Sequence, residues 1–236
     1  MTPDTRLKLL GVSTATLCTV LFKRGLRGQF IQDVRPLNPG LPNMVGPAFT
    51  LRYMPAREDL NSLNVFQDRQ HPQRQAVEQC PPGAVLVMDS RKDARAASAG
   101  GILVSRLMVR GAAGVVTDGG LRDSAEIARL TIPAYHQRPA APTNITLHQA
   151  IDINVPIGCG DAPVFPGDVM VGDGEGVIVI PAHLADEVAD EAVEMTAFED
   201  FVQERVLAGQ SIVGLYPPTD EQSRLDYAAW RGVRGR

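Results

Sequence analysis

Two short apolar runs, each closing on an aspartate and separated by about one helix of chain, limit most strongly how this sequence can fold. The first is PPGAVLVMDS, a turn and then a strand ending at Asp89; the second is AAGVVTDGG, a strand ending at Asp118. Between them DARAASAGGILVSRLMVRG is rich in helix formers, interrupted by Gly100-Gly101. Strand, helix, strand at this spacing is a βαβ unit, which makes the two strands parallel neighbours in one sheet. Ligands of open α/β sheets gather outside the carboxyl ends of the strands. Those ends carry Asp89 and the run Asp118-Gly119-Gly120-Leu121-Arg122-Asp123, so chemistry is expected there.

The flanks extend this α/β pattern. Residues 13–23 (STATLCTVLFK) read as a helix capped by Ser13 or Thr14 and closed by Gly25. The Pro- and Gly-rich RPLNPGLPNMVGP leads into a strand, AFTLRYM (48–54), and the polar stretch 56–75 reads as loop with some helix, broken at His71-Pro72. IDINVPIGCG, GDVMVGD and GVIVIPA alternate enough for three more strands. PAHLADEVADEAVEMTAFEDFVQERVLAG then has helical spacing, with Pro181 near its start and Gly209 just past its end. Residues 1–210 therefore read as one domain and 211–236 as a C-terminal arm suited to packing on a neighbouring subunit.

Several function classes are disfavoured. Aromatic residues make up only 5% of the chain and the net charge is −4, which suits neither base stacking nor phosphate attraction, and the tail RGVRGR is too short to argue for RNA. Cys18, Cys80 and Cys159 form no CxxC pair, and the four histidines are scattered. No apolar run approaches the roughly 18 residues of a spanning helix, and no secretory h-region opens the chain, so neither membrane nor nucleic acid is an expected partner and the cytoplasm is the expected location. GDGEGV (172–177) lacks the full dinucleotide fingerprint and reads as a hairpin turn.

Two groups of residues can carry chemistry, each with a plainer alternative. Gly100, Gly101, Ile102 and Leu103 would present free backbone N–H groups to a carboxylate or phosphate if the helix starts there; otherwise the glycines mark a kink or tight packing. Arg122 offers a planar fork for a carboxylate or enolate oxygen, and Asp123 a hard oxygen ligand for Mg²⁺ or Mn²⁺. Their alternative is a surface ion pair, with Asp123 capping DSAEIARL and Glu126 completing a capping box. Asp89 is either a reactive carboxylate or a strand-end turn residue.

The stretch AASAGGILVSRLMVRGAAGVVTDGGLRDSAEI resembles the core of the RraA-like family, which includes the regulator of ribonuclease activity A and class II aldolases for 4-hydroxy-4-methyl-2-oxoglutarate. VGPAFTLR (45–52) and NVPIGCGDAPVFPGDVMVGDGEGVIVIP (154–181) extend the likeness over most of residues 12–210. The resemblance implies a layered β/β/α, swivelling-domain-like fold assembled as trimers or hexamers. It implies a lyase acting on a small 2-oxo acid by retro-aldol cleavage or decarboxylation. In that reading Asp123 holds Mg²⁺ or Mn²⁺, Arg122 stabilises the enolate, and the amides of Gly101 to Leu103 bind the pyruvate carboxylate. Glu199 is the candidate for the acidic residue that a neighbouring subunit's C-terminal helix supplies.

One departure stands out: this chain has Gly101 where active aldolases of the family carry an acidic residue. Losing a carboxylate that orders water or transfers protons removes roughly 10²–10⁴-fold of rate, and Asp89 is the candidate replacement. The alternative function is that of the regulator branch, which binds an RNA-degrading enzyme without chemistry of its own. A phosphohistidine carrier, suggested by the swivelling fold, is disfavoured because no histidine lies in a Gly-rich turn near Arg122.

Overall fold

The computed structural model describes residues 1–234; Gly235 and Arg236, which end the expected arm and the arginine-rich tail, lie outside the described residues. Two helices open the chain, α1 (Pro3–Leu10) and α2 (Thr14–Lys23). α2 has the expected ends: the Ser13 hydroxyl accepts from the Thr16 amide at 3.0 Å, and Gly25 at φ +80° lets the Leu26 amide close on the Leu21 carbonyl. α1 is additional to the sequence expectation; Thr2 caps it and Pro3 takes its first position.

Short strands β1 (Phe30–Ile31) and β2 (Arg35–Pro36) precede β3 (Met44–Pro55), which begins at Met44 rather than at Ala48. Then come α3 (Pro72–Gln79), β4 (Val85–Asp89), β5 (Ala97–Ala99), α4 (Gly101–Val109), β6 (Gly114–Thr117), β7 (Gly120–Leu121) and the single turn α5 (Ser124–Ile127). Pro72 does mark a boundary, but as the start of α3, because its fixed φ suits a first helical turn. The helix does not run back through DARAASAGG as its composition suggests; pairing with β7 draws residues 97–99 into a strand. β8 (Ala134–His136), β9 (Arg138–Pro139), β10 (His148–Ile153), β11 (Ile157–Cys159), β12 (Ala162–Val164), β13 (Val169–Gly172) and β14 (Val177–Ile180) follow. The long α6 (Ala185–Leu207) and α7 (Glu221–Arg234) close the described chain.

The main sheet has the order β1-β14-β13-β3-β4-β6-β8-β2, with β10 also on β3. β3–β4, β4–β6 and β6–β8 are parallel, as the βαβ reading requires for β4 and β6, and the outer pairs are antiparallel. Both faces are buried, and side-chain alternation sorts residues between them. Leu86 and Met88 of β4 pack with Val104 and Leu107 of α4, whereas Val85 and Val87 face Met170, Val177 and Val179 inside the curled sheet. Val169, Val171, Ile178 and Ile180 turn outward onto α1, α2 and α6. The result is a layered α/β fold.

A second, three-stranded parallel sheet, β5-β7-β9, sits beyond the first and positions the site. Each of its strands follows a central strand of the main sheet: β5 comes after β4, β7 after β6 and β9 after β8. Because Ala97 pairs with Gly120 and Ala99 with Leu121, the residues next in each chain, Gly100-Gly101 and Arg122-Asp123, emerge side by side.

The C-terminal segment folds back within the chain. Tyr227 and Trp230 of α7 pack on Phe198 and Phe201 of α6, and the Trp230 indole N–H donates to Glu204 at 2.9 Å.

Candidate active site

Gly100 is the N-cap of α4 and Gly101 its first residue, so the helix does start at the double glycine. The Arg122 amide donates to the Ala99 carbonyl at 3.1 Å, which fixes the Arg-Asp pair against the glycines. The Asp123 carboxylate accepts from the Gly101 amide at 3.1 Å through Oδ2. The capping-box alternative for Asp123 is not what the structure holds: the residue sits at φ +58° and its side chain makes no bond to its own helix α5. The carboxylate caps the neighbouring helix instead, across the β5–β7 pair.

Arg122 Nε lies 3.7 Å from Asp123 Oδ2, and both side chains are more than two-fifths exposed. Among the described residues no acceptor takes a hydrogen bond from the Arg122 guanidinium, so its fork is open to a ligand. Of the three amides expected to bind a carboxylate, Gly101 donates to Asp123 and Leu103 to the Gly100 carbonyl. Ile102 alone keeps a free N–H, at the positive end of α4.

These groups line one concavity of about 210 Å³, bounded by Gly100, Ile102, Leu103, Arg122 and Asp123 on one side. Phe66, Gln73, Arg74, Thr143 and Asn144 form the rest of the wall together with Ala97 and Ala99. None of these five polar or aromatic residues carries a sequence signal for the site. They come from the stretch read as loop with some helix and from the turn before β10, and only tertiary folding brings them to the double glycine.

Two other expected residues lie elsewhere. Asp89 is outside the concavity; it accepts from the Arg91 amide at 2.9 Å, and burial raises its carboxyl above the usual range. Glu199, on α6, accepts from the Thr16 hydroxyl at 2.7 Å and does not line the cavity in the single chain. At Gly101, a Cβ would stand 3.3 Å from Asp123 Cβ and 3.5 Å from Glu126 Oε2, so Glu126 brings a carboxylate to the space that a side chain there would enter. Asp118 turns inward as a structural hub, accepting from the amides of Ser90, Lys92 and Gly160, and burial pushes its carboxyl up to about 6.

The donor set suits a hard divalent ion of a particular kind. Among the described residues no group of three or more His, Cys, Asp or Glu is arranged to cage a metal. Asp123 nevertheless offers an exposed carboxylate whose Oδ1 is unpaired, next to Glu126. One or two carboxylates with the remaining positions left to water and ligand is ordinary Mg²⁺ coordination.

A layered α/β protein with a small cavity at parallel strand ends, lined by an Arg-Asp pair and a double glycine, is the class that fold and site define. The chain belongs to the RraA-like family, described as Aldolase/RraA, which matches residues 14–179. A protein of Halalkalibacterium halodurans, provisionally named a 4-hydroxy-4-methyl-2-oxoglutarate aldolase, is 32% identical over 178 residues, 74% of this chain and 76% of that protein. The 4-hydroxy-4-methyl-2-oxoglutarate aldolase of Thermus thermophilus is 29% identical over 151 residues, 64% of this chain and 90% of its own length. Among solved structures, Streptomyces coelicolor RraAS2, described as an unusual member of the RNase ES inhibitor RraA protein family, superposes with a TM-score of 0.75 at 28% identity. It covers 86% of this chain and 97% of its own.

Proposed function

We propose that this chain is a divalent-metal-dependent lyase acting on a small 2-oxo acid. The observation that carries the reading is that the open Arg122 fork, the α4 N-terminus and the Asp123 carboxylate line one cavity. At about 210 Å³ the cavity is below the roughly 300–1,000 Å³ of drug-sized sites, which fits a substrate of few heavy atoms.

The chain's own groups supply binding and charge stabilisation. The Ile102 amide and the α4 dipole receive the 1-carboxylate. Arg122 donates to the 2-oxo oxygen. When the C3–C4 bond breaks, by retro-aldol cleavage with the 4-hydroxyl proton passing to water or by loss of carbon dioxide, its electron pair passes into the pyruvate enolate, Arg122 meets the charge on that oxygen, and C3 then takes a proton from water to give pyruvate. Mg²⁺ or Mn²⁺ held by Asp123 and water would supply Lewis acidity at the same place. Glu199 does not line the cavity of its own chain, so any assistance from it requires a second copy in a trimer or hexamer, which light scattering measures.

The test is release of pyruvate or carbon dioxide from a panel of 2-oxo acids with Mg²⁺ or Mn²⁺. Arg122→Ala is expected to lower turnover roughly 10²–10³-fold, as removal of one oxyanion donor does. Absence of release from every acid would favour the second reading, binding of an RNA-degrading enzyme, which the description of the Streptomyces relative supports.

A further inference from the structure

We propose that Gln73 is a positioning residue: the oxygen of its side-chain amide holds the water that returns a proton to C3 of the pyruvate enolate. The inference rests on the lyase reading above and adds a residue to its last step.

Gln73 lies in the first turn of α3 and lines the cavity, yet is only 3% exposed. Its amide nitrogen donates to the Ser98 carbonyl at 2.7 Å and to the Tyr53 hydroxyl at 3.2 Å. A carbonyl oxygen only accepts, so the atom against Ser98 has to be the nitrogen, and the orientation of the amide is fixed. Among the described residues no donor reaches the other atom of the amide, Oε1, which is not sealed into the core either. The little exposure that Gln73 keeps is toward the cavity it lines, and its unpaired atom there is an acceptor. A polar atom so nearly buried is costly without a partner, so the site calls for a donor at that point.

The reacting groups narrow what that donor is. The carboxylate and the oxo oxygen of a pyruvate enolate only accept, which suits Arg122 and turns them away from Oε1. The Tyr53 hydroxyl gives its own hydrogen to the Ser98 carbonyl at 2.7 Å and does not line the cavity. Water can donate one hydrogen to Oε1 and aim the other at C3. That second proton passes to C3, whose electron pair forms the new C–H bond. The hydroxide left behind is neutralised by the proton released from the 4-hydroxyl or, after decarboxylation, combines with carbon dioxide as bicarbonate. Gln73 neither gains nor loses a proton.

Exchange of the pyruvate methyl hydrogens isolates this step, because pyruvate carries no hydroxyl that could occupy Oε1 instead. With Mg²⁺ and pyruvate in D₂O the full chain is expected to replace those hydrogens by deuterium, followed as loss of the methyl proton NMR signal. Gln73→Met, which removes the acceptor at similar length, is expected to slow exchange roughly tenfold to a hundredfold, while oxalate affinity by calorimetry changes less than about twofold. Tyr53→Phe disturbs the same hydrogen-bonded group but leaves the Gln73–Ser98 bond and Oε1 in place, and is expected to exchange near the wild-type rate. Where Gln73→Met fails to fold, Gln73→Asn carries the test, since it withdraws the acceptor by one methylene and keeps the amide. A crystal structure with oxalate is expected to show an ordered water within hydrogen-bond reach of Oε1. Exchange by the Gln73 variant at the wild-type rate, or an equal fall in Tyr53→Phe, overturns the role of Gln73 and leaves the lyase reading standing. So does a wild type that releases pyruvate from its acids but exchanges no methyl hydrogens. A wild type that does neither overturns both.

Discussion

A Cβ on Gly100 would stand 2.7 Å from Arg122 Cγ and 3.0 Å from Asp123 Oδ2, closer than side chains pack, so glycine is what lets the Arg-Asp pair lie against α4. Gly100→Ala is expected to displace Arg122, whose partly exposed side chain can move, rather than to unfold the protein. Ligand affinity should fall roughly tenfold or more with little change in Tm, read by calorimetry and thermal unfolding; an unchanged affinity would contradict the contact. A second residue reports through pH. His136 is 6% exposed, its Nδ1 has no hydrogen-bond partner among the described residues, and burial pushes its imidazole down to about 4. Above the unfolded value near 6.5 both states are neutral and the residue contributes no slope. As pH falls from about 6.5 toward 4, only the unfolded chain takes up the proton, so stability is lost across that window. His136→Leu should flatten the loss in urea midpoints between pH 7.5 and 5; parallel profiles would refute it.

Between residue and molecule, the elements that matter are the short ones. Asp118, fully buried after β6, gathers amides from the β4–β5 connection and from Gly160 after β11. Asp118→Ala leaves two buried amides, those of Ser90 and Gly160, and the partly buried amide of Lys92 without their acceptor and is expected to cost about 3 kcal/mol in denaturant unfolding; a loss under about 1 kcal/mol would show the hub to be dispensable. The chain announced β4, α4 and β6 because long apolar runs close on aspartates, and Gly100, Arg122 and Asp123 follow from them as consecutive strand-end positions. It did not announce β5, β7 and β9, strands of two or three residues whose existence depends on pairing and not on periodicity. For the same reason the plainer alternative for Asp123 is a cap for the helix that follows it, whereas the β5–β7 register turns its carboxylate onto α4. Phe66, Gln73 and Arg74 were illegible as site residues, since a polar stretch carries no signal of which cavity it will wall.

On the scale of the whole molecule, one face of the main sheet packs on α3 and α4, and the curled interior and the α1–α2–α6 layer close the rest. Among the described residues no single helix is long and apolar enough to cross a membrane; α1 and α2 reach that length only together and meet at 115°. The net charge of −4 contrasts with the lining of the cavity, where two arginines face one aspartate. The lyase reading requires that this cavity bind a 2-oxo acid together with a divalent cation. Thermal unfolding with oxalate, in the presence and absence of Mn²⁺, tests it most directly, because a ligand held only by the folded state raises stability by about 2.7 kcal/mol at a hundred times its Kd. The predicted result is stabilisation by oxalate that needs Mn²⁺ and disappears in both Arg122→Ala and Asp123→Asn; no stabilisation of the wild type, or stabilisation that survives both substitutions, would contradict it.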